Sequence, residues 1–287
     1  MSADLWPPLP PAAEWADTRE TLHMWTQIVG KIRLAQTPRM NHWWNVTLYV
    51  TPRGLTTSPM PLDGESFSID FDFIDHQLIV TTTAGAVRSM PLLARSVADF
   101  YRELMALLDA IGIHPQISTL PSEVEAPIRF EEDTKHASYD AVMAHRFWRA
   151  LLQADRLLKI FRAPFTGKAS PAHFFWGGFD LACTRFSGRP APPRPGFIDR
   201  IAYSEECCSA GFWAGGGKWT EAAFYSYAAP EPPGFADRAP RYNPNTQLCE
   251  LPYELVRSSS DPDAIVLEFY QGVFDVAAEL GHWPGTK

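Results

Sequence analysis

Cysteine is scarce in this chain: four residues, Cys183, Cys207, Cys208 and Cys249, among 287. None stands in a CxxC pair and two are adjacent, so a disulfide framework is not expected and a reducing compartment is. Runs of Lys and Arg are absent and the formal net charge is −8. The basic stripe of a nucleic-acid binder is therefore missing, and no nucleic-acid partner is expected. No stretch approaches the ~18 consecutive apolar residues of a membrane-spanning helix, so no membrane partner is expected either. The opening Met1-Ser2-Ala3-Asp4-Leu5-Trp6-Pro7-Pro8 has neither a basic start nor an apolar run, unlike a signal peptide, and the expected location is cytoplasmic. Missing too are HExxH and HxH spacings, a GxSxG elbow and the GxxxxGK[ST] phosphate loop. Gly215-Gly216-Gly217-Lys218 reads as a tight hairpin turn.

What is present is a soluble composition, 46% apolar and 20% charged, with ample material for a core. Residues 1–16 read as a surface arm. Leu22, Trp25, Ile28 or Val29, and Ile32 recur at helical spacing up to Pro38, with His23, Gln27 and Gly30 together off the apolar stripe. His42 to Thr51 reads as a strand entered through His42-Trp43-Trp44. Phe67, Ile69, Phe71 and Phe73 alternate with Asp70 and Asp72, and residues 66–83 read as a β-hairpin. Ser96 opens a helix that Gly112 stops. Pro121, Pro127 and Glu131-Glu132-Asp133 mark a connection. Ser138 opens a long helix, and the strand of His173 follows. Pro-rich loops lie at 190–196 and 230–240, around strands over 202–214 and 222–228, and Asp261-Pro262 caps the last helix. The expected fold is α+β: two pseudo-repeats, each helix, three strands, helix, on mostly antiparallel sheet. The halves are 1–118 and 138–287, joined by 119–137 and packed as one compact unit.

Several stretches are similar to a bacterial family catalogued as domain of unknown function 5996. They include Thr21 to Lys31, Asn41-His42-Trp43-Trp44, Arg53-Gly54-Leu55-Thr56-Thr57, Phe71 to His76 and Ser96 to Tyr101. The second half adds His173 to Gly177, Phe179 to Ala182, Thr184 to Arg189 and Gly211-Phe212-Trp213. The resemblance spans nearly the whole chain and implies a soluble, single unit, with no activity attached. After Tyr203-Ser204 the family pattern carries His, where this chain has Glu205.

The sharpest candidate site joins His42, His173 and Asp180 as catalytic groups, with His23, Arg53, Arg185, Trp44 and Trp176 binding substrate. Imidazole is the usual base near neutral pH and the commonest metal ligand. His42, His173 and His23 with one carboxylate would suit a divalent metal ion, the one cofactor these residues suggest. Arg53 or Arg185 would hold an anionic group. The bland alternative is a satisfied structural His at each strand entrance. Ten Trp supply either pocket walls or core; Trp43, Trp44, Phe174, Phe175, Trp176, Phe212, Trp213 and Trp219 read mainly as core. Asp70 and Asp72 read as a solvated sheet face. Three functions fit: an enzyme with a site between the halves, a small-molecule binding protein using the same cleft, or a scaffold docking partners through its Pro-rich loops.

Overall fold

A computed structural model describes residues 5–217 and 219–284. Helix α1 spans Ala16–Gln36 and buries Leu22, Trp25, Ile28, Val29 and Ile32, the stripe its spacing dictates. It ends where the Thr37 N–H returns to the Arg33 carbonyl at 3.0 Å and Pro38 cannot continue it. Six strands follow: β1 (Tyr49–Val50), β2 (Gly54–Thr56), β3 (Met60–Leu62), β4 (Glu65–Asp72), β5 (Gln77–Thr82) and β6 (Val87–Pro91). Helix α2 (Val97–Asp109) starts at Ser96, whose hydroxyl accepts the Asp99 N–H at 3.0 Å.

After the connection comes α3 (Ala141–Arg162). Its cap is Asp140, accepting from the N–H groups of Val142 and Met143, rather than Ser138. Then follow β7 (His173–Phe175), β8 (Asp180–Pro190), α4 (Phe197–Ala202), β9 (Glu205–Trp213), β10 (Ala223–Ala229), α5 (Phe235–Arg238), β11 (Tyr242–Asn243), β12 (Leu248–Pro252) and α6 (Tyr253–Arg257). The last helix, α7 (Pro262–Leu280), is capped by Asp261. Between β9 and β10, Gly216 and Trp219 exchange backbone bonds of 2.8 and 3.0 Å, the hairpin turn expected there; Lys218 lies outside the described residues.

Every strand pair is antiparallel. The first sheet runs β1-β2-β4-β5-β6, with β3 beside β2 on one edge of β4, and the second runs β11-β12-β10-β9-β8-β7. Leu48 and Phe174 bond backbone to backbone in both directions at 2.9 Å, so the sheets meet edge to edge through one antiparallel bridge. The class is α+β, and the order helix, strands, helix recurs in the two halves. The strand paths differ, and each sheet has six strands rather than three: β2, β3, β6, β11 and β12 are too short for a periodic signal, and the single expected strand of His173 is divided into β7 and β8 by a turn over 176–179.

Two segments depart from expectation. Strand structure begins only at Leu48, because Asn41–Trp43 is a turn of 3-10 helix with His42 and Trp43 in the left-handed region at φ +55° and +60°. Side-chain bonds decide this: Asn41 Oδ1 accepts the His42 N–H and Asn45 Oδ1 the Met40 N–H, an alternative to a ladder. The amino-terminal arm lies on the surface at Leu5, Pro8 and Pro11 but is anchored in the core by Trp6, Ala12 and Trp15. Trp6 is buried against Phe224 and Tyr253, and the Tyr253 hydroxyl donates to the Pro7 carbonyl at 2.8 Å.

Candidate functional site

The two faces of the second sheet differ. Leu181, Cys183 and Arg185 of β8 point toward α3 and α7, where the core lies. Alternation turns Asp180, Ala182, Thr184 and Phe186 to the other face, the floor of a pocket of about 280 Å³. Register extends that floor across three strands: Ala182 lies beside Gly211 and Gly211 beside Tyr225, while Thr184 lies beside Ser209 and Ser209 beside Tyr227. Trp43, Trp44, Trp176, Glu123 and, from α4, Ile198, Asp199 and Ala202 form its walls. The size is at the small end for organic-ligand sites.

Small residues create the polar end. A methyl on Gly211 would fall inside the Tyr225 phenol, so only glycine lets that ring lean across β9. Its hydroxyl thereby donates a short hydrogen bond to Asp180 Oδ2. Glu123 reaches in from the connection with a left-handed backbone, φ +59°; non-glycine residues adopt that region at a cost on the order of 1 kcal/mol. A methyl on Gly178 would lie 2.7 Å from Asp180 Oδ1 and 4.0 Å from Glu123 Oε2, so both carboxyls flank that glycine, within electrostatic reach of each other. Burial pushes the Asp180 carboxyl up to about 7; the Tyr225 hydroxyl opposes the shift and the Glu123 charge adds to it. Glu123 keeps part of its surface open to solvent and is also raised, by partial burial of its carboxyl and by the Asp199 charge. Tyr225 and Tyr227 are held well above the ordinary phenol range by burial and stay neutral donors. Tyr227 and Tyr203 share a bond of 3.0 Å.

Helix α1 fixes both carboxyls without touching the pocket floor. His23 Nε2 donates to the carbonyls of Trp176 and Gly177 at 3.0 and 2.9 Å. Gln27 bonds Ser122 twice, accepting its N–H at 2.8 Å and donating to its carbonyl at 2.7 Å. Gly30 leaves room for the Trp176 indole, which a methyl would overlap. The stripe His23, Gln27, Gly30 thus clamps the turn before Asp180 and the residue before Glu123. Burial drives His23 down to about 4, so it is a neutral structural donor.

His42 sits at the opposite end of the pocket. Its Nδ1–H donates to the Ala202 carbonyl at 3.0 Å, and its Nε2 accepts from the Lys168 ammonium at 2.7 Å. Lys168 also bonds Glu205 directly. His42 is depressed first by burial, with the Ala202 carbonyl opposing and Lys168 reinforcing. His173 is fully buried beside Trp44, Tyr49 and Phe175, with Nδ1 2.9 Å from Thr47 Oγ1 and Nε2 without a hydrogen-bond partner among the described residues. Burial, reinforced by the Arg33 charge, lowers it to about 3. Trp44 packs against both imidazoles, and each ring nitrogen engaged by protein is unavailable to a metal. No group of three or more His, Cys, Asp or Glu placed to hold a metal ion occurs among the described residues.

The two arginines lie elsewhere. Arg53 pairs with Asp72 at 2.6 Å and Asp75 at 2.5 Å on the first sheet. Asp72 is thereby a buried, bonded residue rather than a solvated one. Arg185 is buried on the α3–α7 face, its guanidinium carbon 3.6 Å from the Phe161 ring centre and bonded to the Phe161 carbonyl. Of the candidates, Asp180, His42, Trp44 and Trp176 meet in the pocket, His23 supports it from behind, and His173, Arg53 and Arg185 stand outside it. Glu123, Tyr225 and Tyr227 were not singled out by sequence. The alternation of Phe224 in the core with Tyr225 and Tyr227 across β10 was the available signal for the tyrosines.

An α+β scaffold presenting a carboxyl- and tyrosine-floored pocket beside a buried His is what these observations define. The chain belongs to the family of unknown function DUF5996, whose model matches residues 6–287. No curated protein and no solved structure matches it.

Proposed function

We propose that this protein binds a small organic molecule in the pocket of the second sheet and acts on it by proton transfer at Asp180. The observation that carries this reading is the Asp180–Tyr225 pair with Glu123 beside it, at the end of an aromatic-walled hollow. A carboxyl titrating near neutrality serves equally as general acid and general base. Tyr225 would hold Asp180 in place, Glu123 would set its charge, and Trp44 and Trp176 would receive the apolar body of the ligand. A binding protein without chemistry would need the same walls but not a carboxyl held near 7. Metal-assisted chemistry through His42, His173 and His23 draws less support, because those side chains do not converge. The scaffold reading draws less: Pro192, Pro193, Pro195, Pro230 and Pro233 are exposed, but the segment at 190–196 leads into α4 at the pocket wall, and the second Pro-rich loop lines only a small hollow with Leu280 and Trp283.

The test is a metabolite library screened by thermal shift, with wild type beside Asp180→Asn and Tyr225→Phe. Ligands that stabilise wild type should be assayed for turnover. The reading expects turnover at saturating ligand to fall at least ~100-fold in Asp180→Asn, the usual weight of a general acid–base group. Turnover unchanged in Asp180→Asn would refute the proton-transfer role.

A further inference from the structure

We infer that the molecule this pocket takes is an organic ammonium: a small amine whose cation lies between Glu123 and Asp180 and whose apolar body lies along Trp44 and Trp176. This rests on the small-molecule reading above and names its ligand class.

Charge is the first ground. Glu123, Asp180 and Asp199 line the pocket, and no Lys or Arg does among the described residues. Three cations lie outside that lining: Lys168 is paired with Glu205 and bonded to His42, Lys31 bonds Ser122 Oγ at 3.1 Å and lies 5.7 Å from the centre of Trp176, and Arg194 lies 3.9 Å from the centre of Tyr203. None of the three pocket carboxyls has a Lys, Arg or His partner among the described residues. A pocket of one sign with low-dielectric walls concentrates ions of the other.

The walls are the second ground. Trp and Tyr faces attract cations through the ring quadrupole, best when water is excluded. The structure already uses this around the pocket, where Lys168 Nζ lies 5.7 Å from the centre of Trp44 and 4.7 Å from that of Phe186. The third ground is donor chemistry. An anionic ligand would meet the Asp180 and Glu123 oxygens with neutral donors alone, among them the hydroxyls of Tyr225, Tyr227, Thr184 and Ser209, to offset them, whereas an ammonium has donors for every carboxylate oxygen.

Isothermal titration of the full chain with benzylamine, benzyl alcohol and benzoate, three probes of one shape and different charge, tests this. Benzylamine should bind; benzyl alcohol should bind roughly tenfold more weakly or worse, from the loss of a charged hydrogen bond; benzoate should not bind. Glu123→Gln should weaken benzylamine by about the same factor and leave benzyl alcohol unchanged. Ala182→Leu, which fills the floor, should abolish benzylamine binding with the circular dichroism spectrum intact. If benzyl alcohol binds as tightly as benzylamine and Ala182→Leu abolishes both, the ammonium assignment falls while the small-molecule site stands. Benzylamine binding indifferent to Glu123→Gln also overturns it. If none of the three probes binds at millimolar concentration, both the assignment and the site fall.

Discussion

Asp180 carries opposed demands, and its ionisation makes them measurable. Its folded pKa, about 7, lies above the ordinary 3.8. A carboxyl raised in this way leaves stability untouched below its unfolded value and removes stability as pH rises toward the folded one. Asparagine keeps the oxygen that accepts from Tyr225 but never ionises. Asp180→Asn should therefore match wild type in Tm near pH ~4 and exceed it above pH ~7, by a few degrees for a chain of this size. A Tm difference constant across that range would show that the carboxyl is not strained by burial. Ligand affinity should run the other way. The groups facing Asp180 are Glu123 and Tyr225, with Asp199 behind Glu123 and Tyr227 behind Tyr225. Asp180 titrates near 7, so an amine that needs its charge should bind more tightly as pH rises through that value, releasing a proton.

Element by element, the pocket is held by pieces that do not line it. Gln27, on α1, is fully buried and satisfies both backbone groups of Ser122. Truncation leaves an N–H and a carbonyl unpaired, at a cost of about 1–3 kcal/mol for each group water does not rescue. Gln27→Ala should lower the unfolding free energy read from urea titration by that order and raise hydrogen exchange at Ser122 and Glu123 more than in the first sheet. Uniform change across the chain would mean that the clamp is not local. This stripe was legible in sequence because His23, Gln27 and Gly30 follow helical spacing. So was Asp180, at the mouth of an alternating strand. Arg185 shows how far parity carries: five residues from Asp180 on a continuous strand, it must face the other way. Glu123 was not legible, since a left-handed residue in a Pro-rich connection has no period. The His42 segment was misread because its apolar alternation mimics a strand, while Asn41 and Asn45 bond the backbone into a turn.

At the level of the whole molecule, the amino-terminal arm and the edge bridge tie the halves together in opposite senses. Trp6 precedes α1 yet packs on Phe224 and Tyr253 beside the second sheet. Leu48 of the first half pairs with Phe174 of the second. One cluster of buried side chains runs from Trp6 to Trp283 through both sheets. A half expressed alone would expose a sheet edge and an apolar face, and the second half would also lose the indole that covers Phe224. Burying a Trp in such a place is worth about 3–5 kcal/mol by truncation, a large share of the 5–15 kcal/mol typical of a folded domain. Trp6→Ala should consequently lower the unfolding free energy by several kcal/mol and destabilise both halves in one transition, with tryptophan fluorescence and far-ultraviolet circular dichroism coincident. Residues 1–118 and 138–287 produced separately should each lack a cooperative transition. A sharp, reversible transition in 138–287 alone would instead make the second sheet and its pocket an autonomous domain, with the first half as an attachment to it.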